Sequence, residues 1–333
     1  AKIDLTQDLL KTDIPDSKAV EEWVMHYFPK ALRKNYKSEI LNHRLKREII
    51  ATMLANGMVN RMGPTFVSGR MEKCGVSSAE VAKAYIIVRE AYDLISLWDE
   101  IEDLDNKVPA LVQLKAKNEI SRMTERAITW FLSRSGRNLN IEKDIVAFHE
   151  GIKIVRKNLG SLVADSHKTT IEQTTARLES DGLPHSLAHN IALMPLLSSA
   201  CDIIRIAKQQ KADLTVTAKA YFELGDHFHL DWMRQQARYL PADDVWALEA
   251  LEGLVDQLYS CQAGITVKIL KDMNGSLPAK ASVKTTILKN WMKDHGLQAE
   301  QIEPLFQELR SASHLDLPML VIAEQRLRNL YGG

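Results

Sequence analysis

Arg47–Val67, REIIATMLANGMVNRMGPTFV, is the stretch whose reading decides the fold. Leu45, Ile49 and Met53 form one row at four-residue spacing, and Ile50, Leu54, Met58 and Met62 form the next. Two adjacent rows make a wide apolar stripe on one face of a helix. Thr52, Asn56 and Asn60 make a separate polar row, with Arg61 beside it. Gly63-Pro64 ends the pattern, because proline lacks an N–H and disfavours helix for the residue before it. Pro64 is then expected to open the next helix, where a missing donor costs nothing.

The same period runs outward in both directions. Glycine and proline are scarce, and nearly every periodic segment follows the helical repeat rather than strict alternation. Ser77 followed by Glu80 is a capping box opening a helix that contains Tyr85–Val88, and Gly75 suits the end of the helix before it. Asp105–Pro109 reads as a turn, with Pro109 opening a helix to Leu132. Gly182 stops another helix, Pro241 precedes a long one over 243–273, and Asn274–Pro278 reads as a loop. The expected fold is all-α, an array of about 12–16 helices in bundles of antiparallel neighbours, with no sheet and no Rossmann domain. The polar Gly136–Asn140 stretch suggests an N-terminal lobe over 1–136 and a C-terminal lobe over 137–333. No side-chain pattern recurs at a period of roughly 20–50 residues, so a repeat solenoid is not expected.

Composition narrows the function. The 333 residues carry 43 basic and 43 acidic side chains, so there is no net charge to draw the chain to nucleic acid. The basic run Lys30–Lys37 lies within a helical pattern and reads as a solvated face. Cys74, Cys201 and Cys261 are far apart, which argues against a disulfide framework and a structural zinc site and fits a cytoplasmic setting. No apolar run reaches the roughly 18 residues of a membrane span. The first residues lack a signal-peptide pattern and read as those of an excised segment.

Several groups invite a chemical reading. Asp226, His227, His229 and Asp231 combine metal-ligand and general-base side chains. On a helix, residues two apart point about 200° away from each other, so His227 and His229 converge only if the helix breaks between them. His227 and Asp231 share a face and are the weak metal candidates; a solvated face, or a histidine hydrogen-bonded to a carboxylate, is the simpler reading. Thr52, Asn56, Asn60 and Arg61 read first as bonding between helices, second as a polar contact with another domain. Asp105, Asn106 and Lys107 read as a turn and helix cap rather than a ligand site. The scattered tryptophans 23, 98, 130, 232, 246 and 291 read as core rather than as a stacking platform. There is no G-x-G-x-x-G, no G-x-x-x-x-G-K-[ST], no H-E-x-x-H and no G-x-S-x-G.

The wording of several long segments carries a resemblance. REIIATMLANGMVNRMGPTFV, YFPKALRKNY at Tyr27–Tyr36 and LWDEIEDLDNKVPALVQL at Leu97–Leu114 resemble the C-terminal region of the large bacterial NAD-specific glutamate dehydrogenases. YFELGDHFHLDWMRQQARYLPADDVW at Tyr221–Trp246 is similar more weakly. The resemblance implies a parent enzyme that oxidises L-glutamate to 2-oxoglutarate and ammonium with NAD. It places the nucleotide- and glutamate-binding parts, and the catalytic lysine and aspartate, outside this chain. Catalytic and cofactor-binding residues here are therefore expected to be none. The expected partners are the catalytic and N-terminal domains of the parent and further copies of itself, with structural or regulatory work as the role. A freestanding helical adaptor for protein partners, or an all-α metal-dependent enzyme using the Asp226–Asp231 region, are the rival readings.

Overall fold

A computed structural model describes residues 2–134, 138–242, 244–274, 302–312 and 315–331. Every regular element among them is helical, with no strand, so the all-α expectation holds. The lobe boundary expected near residue 137 falls at 135–137, outside the described residues, as do Trp291 and most of the loop expected after Asn274.

Contacts divide the chain into two compact units that interleave in sequence. The first comprises Ala1–Arg156 and Thr170–Cys201, the second Lys157–Thr169 and Asp202–Gly333. In the first unit, α1 (Lys2–Leu10) packs on α6 (Lys46–Met62). Between them in sequence lie four short helices, α2 (Lys18–Glu21), α3 (Trp23–Tyr27), α4 (Lys30–Arg33) and α5 (Lys37–Leu41). Then follow α7 (Phe66–Cys74), α8 (Ser78–Ala91), α9 (Leu94–Glu102) and α10 (Ala110–Arg134). α8 packs along α10, which also meets α13 (His185–Leu197). The residues of α11 (Ile141–Leu162) and α12 (Asp165–Ser180) are divided between the two units. The second unit is built on α17 (Val245–Asp272), against which α15 (Leu214–His227), α16 (Leu230–Tyr239) and α19 (Leu317–Tyr331) pack. α14 (Ala200–Gln210) leads into it and α18 (Ile302–Ser311) lies against α19.

The α6 stripe is narrower than its sequence suggests. Ile49, Ile50, Leu54 and Met58 are buried with Ala51 and Ala55, whereas Leu45 is 45% exposed and Met53 and Met62 are half-buried. Leu45 stands at the N-cap, before the face turns inward. Gly63, at φ +102°, ends the helix as expected. Pro64 does not open the next one: Thr65 is the N-cap and α7 begins at Phe66. The capping box is present: Ser77 Oγ accepts from Glu80 N at 3.3 Å, and Ser77 N donates to Glu80 Oε2 at 2.8 Å.

The fold contains a duplication at a longer period than a solenoid's. Helices α7 to α10 recur as α14 to α17, and their landmarks stand at one constant offset along the chain. Gly75 and Lys211 end α7 and α14 in the left-handed region, with φ of +63° and +52°. Ser77 and Asp213 are the capping N-caps of α8 and α15. Asp93 and His229 take φ of +50° and +51° and turn the chain into α9 and α16. The sequence AKAY occurs at Ala82–Tyr85 and again at Ala218–Tyr221, with both tyrosines buried. A left-handed non-glycine residue is uncommon, so the paired turns mark one corner built twice.

Candidate functional site

The second copy of that corner holds a partly buried polar network. His229, two residues past the end of α15, is the N-cap of α16, which puts Asp231 in the first turn of that helix and Arg234 one turn on. Asp231 Oδ1 forms an ion pair with Arg234 Nη2, and its Oδ2 lies 3.0 Å from His167 Nε2. Arg234 Nη2 also donates to Gln262 Oε1 at 2.7 Å, and Gln262 Nε2 donates to the Tyr221 carbonyl at 2.7 Å. The guanidinium lies 4.2 Å from the Tyr259 ring centroid. Ser166 Oγ donates to Asp226 Oδ1 at 3.3 Å, beside the His167 contact.

Electrostatics favour the charged form of each of these groups. Burial works against the Asp231 carboxylate, yet the Arg234 charge and the His167 bond hold its pKa well below the usual carboxylate range. Burial likewise opposes the Arg234 cation, and Asp231 more than compensates, so its pKa is raised. His167 is pulled down by burial, but its bond to Asp231 and the charges of Asp231 and Asp226 leave it above its ordinary value. Two buried atoms, Arg234 Nη1 and His167 Nδ1, have no hydrogen-bond partner. Arg234 and His167 engage the Asp231 carboxylate from two sides.

The expected metal pair is not brought together as one helical face. The helix ends at His227, and Asp231 belongs to the next helix, where it meets His167 and Arg234. His227 stacks edge-on against Phe228 at 4.9 Å. His229 Nδ1 lies 2.7 Å from Arg310 Nη2, and its ring packs on Phe306. Among the described residues no group of three or more His, Cys, Asp or Glu side chains is arranged to hold a metal.

The polar row of the first unit is dispersed. Thr52 is exposed, Asn56 is half-buried, and Asn60 Oδ1 accepts from Lys2 Nζ at 2.8 Å. Arg61 is engaged as well: it pairs with Glu102 at 2.8 Å and lies 4.6 Å from the Trp98 ring centroid. Ser121 Oγ donates to the Arg61 carbonyl at 2.9 Å, tying α10 to α6. Asp105, Asn106 and Lys107 are exposed in the turn after α9, with Asn106 at φ +61°. They stand too far upstream of Ala110 to cap α10.

Sequence reasoning missed a second cluster in this unit. Arg89 lies 3.4 Å from the Trp23 ring centroid and 3.5 Å from the Glu90 carboxylate. Burial lowers the Arg89 pKa and raises that of Glu90, and it pushes the Tyr85 hydroxyl up to about 12. Tyr92, also buried, places its hydroxyl 3.3 Å from both the Leu197 carbonyl and Cys201 Sγ, while Arg156 Nη2 donates to its carbonyl at 2.7 Å. The Arg61–Trp98 and Arg89–Trp23 pairs could be found in the sequence only once α6 is known to meet α9 and α8 to meet α3.

A family model described as glutamate dehydrogenase, C-terminal, matches residues 1–329. The NAD-specific glutamate dehydrogenase of Pseudomonas aeruginosa is 33% identical over 330 residues, covering 99% of this chain and 20% of that protein. Those of Halomonas elongata and Mycobacterium tuberculosis are 31% and 25% identical, again over 99% of this chain and 20% of theirs. The chain thus spans about a fifth of the length of the curated relatives it matches. An all-helical architecture and a match along nearly the whole chain agree, and the chain belongs to the glutamate dehydrogenase C-terminal family, the C-terminal region of the large NAD-specific enzymes.

Proposed function

We propose that this chain is a non-catalytic, structural and regulatory domain of an NAD-dependent glutamate dehydrogenase that converts L-glutamate and water to 2-oxoglutarate and ammonium in the cytoplasm. The observation that carries the reading is the state of its most perturbed ionisable groups. Asp231 binds both Arg234 and His167 inside a helical unit, which supports a bracing role for these groups. NAD is bound by the parent, outside these residues, and the domain contributes to subunit assembly. Rigid helices transmit force between the catalytic domain and subunit contacts, a recognised means of controlling turnover.

Removing residues 137–333 from the full-length polypeptide tests this. Native mass, glutamate-dependent NAD reduction and effector response are measured on the intact and shortened proteins. A change in at least one is expected, while the isolated chain shows no dehydrogenase activity. Three unchanged readouts would sink the proposal, and a cellular polypeptide near 37.6 kDa carrying this sequence would favour a freestanding adaptor.

A further inference from the structure

His185 and His189 stand four residues apart on α13, so one turn of helix places them on the same face. Their rings are nearly parallel, with 10° between planes and 6.1 Å between centroids. Both side chains are exposed, whereas Leu187 and Ala188 between them are buried and anchor the turn. Two imidazoles at this spacing form a chelating pair, the arrangement by which H-E-x-x-H holds its metal ion. Here the turn reads HSLAH, without the glutamate that serves that motif as general base.

A carboxylate stands behind the first histidine. Glu179 Oε1, near the end of α12, lies 2.9 Å from His185 Nδ1. A carboxylate only accepts, so in the neutral imidazole Nδ1 carries the proton and Nε2 keeps its lone pair for a metal. A metal-binding histidine commonly bonds a carboxylate through its other nitrogen in this way, which fixes its tautomer and ring orientation. The turn between Glu179 and His185 is fixed by its backbone. Gly182, at φ +102°, donates to the Glu179 carbonyl at 2.9 Å, and Leu183, itself buried, donates to the Leu178 carbonyl at 3.0 Å. All these residues belong to the first unit.

We infer that His185 and His189 form a surface site for one divalent transition-metal ion of the zinc and copper class, with Glu179 as the positioning residue behind His185. Imidazole nitrogen suits these ions. Two ligands come from the chain and water completes the shell, which accords with the lack of a three-ligand group among the described residues. Metal–nitrogen bonds of about 2.0–2.1 Å bring the two nitrogens within about 4 Å of each other. Rotation of exposed rings achieves that without moving the core. The partial positive charge at the N-terminus of α13 opposes a cation, and the Glu179 carboxylate offsets it.

The test uses the full-length polypeptide, stripped of metal, exchanged into metal-free buffer and dialysed to equilibrium against Zn²⁺. Binding at free metal near the dissociation constant changes stability only slightly, so bound metal per subunit is the readout rather than melting temperature. His185→Ala and His189→Ala, at exposed positions, should keep the wild-type circular dichroism and each lose one equivalent. The double variant should lose that same equivalent and no more. With Cu²⁺, the difference EPR spectrum of the lost equivalent should show two coupled imidazole nitrogens. Unchanged stoichiometry in either single variant, losses that add to two equivalents in the double variant, or coupling to one nitrogen would each overturn the site. Glu179→Ala should keep the equivalent and weaken its binding at least tenfold, and unchanged affinity would remove its positioning role.

Discussion

Gly225 has no side chain because Gln262 occupies the space one would need. A Cβ built on Gly225 would lie 2.3 Å from Gln262 Nε2 and 2.9 Å from its Cδ. The amide cannot swing away freely, since it links Arg234 to the Tyr221 carbonyl. At the equivalent place in the first unit stands Arg89, a large side chain, so the helical corner itself does not demand glycine. Gly225→Ala should therefore destabilise the protein by about 1–3 kcal/mol, through a forced shift of the network. Urea unfolding reads this directly, and a midpoint equal to wild type would remove the steric account.

Breaking the Asp231–Arg234 pair from one side should cost more than removing it. Arg234→Met leaves Asp231 facing only His167 in a partly buried site, at an expected cost of about 3–5 kcal/mol. Adding Asp231→Leu should recover part of that loss, since two apolar side chains need no mutual compensation. A double variant less stable than the single one would mean that the charges contribute more than they cost to bury.

The pH response follows from two opposite shifts. His167 has its pKa raised above 6.5, so its contribution is fully present below pH 6.5 and is lost as pH rises through its folded value. Asp231 has its pKa lowered below 3.8, so its contribution is present above pH 3.8 and is lost as pH falls through its folded value. Stability measured across this range should fall at both ends, and His167→Gln should abolish the decline attributable to the imidazole on the alkaline side. An unaltered alkaline limb in that variant would show that another group governs it.

In the first unit, Arg61→Ala should cost about 1 kcal/mol, from the loss of the Trp98 and Glu102 contacts. Thr52→Ala, at an exposed position, should stay within about 0.5 kcal/mol. If Thr52→Ala nevertheless weakens assembly of the full-length polypeptide, the polar row is a contact with another domain; intact assembly assigns it to the solvated surface.

Chelation gives a further check on the Asp226–Asp231 region. Treatment with EDTA should leave the melting temperature within error, because Asp231 is already engaged with His167 and Arg234. A fall reversed by adding a divalent ion would revive the metal reading.

Much was legible in the sequence because its causes are local. Apolar spacing around Ile50, Leu54 and Met58 declares a helix, Gly63 and Gly75 end helices through backbone freedom, and Ser77 with Glu80 opens one through hydrogen bonds within a turn. Such interactions act over a few residues and leave a readable pattern. The duplication was only half legible: AKAY recurs in the sequence, but the matching left-handed turns at Asp93 and His229 carry no shared residue type.

The sequence by itself determined the helical class, most helix ends and the family, since each rests on short-range spacing or on the wording of long segments. Tertiary structure alone decided what the polar side chains do. His167 meets Asp231 across 64 positions of chain, and Arg89 of α8 meets Trp23 of α3. Asp231 looked like a partner for His227 until the αL turn at His229 rotated it toward Arg234. The partners of a buried charge are chosen by which helices pack together, and that packing depends on the whole apolar surface rather than on any stretch of it.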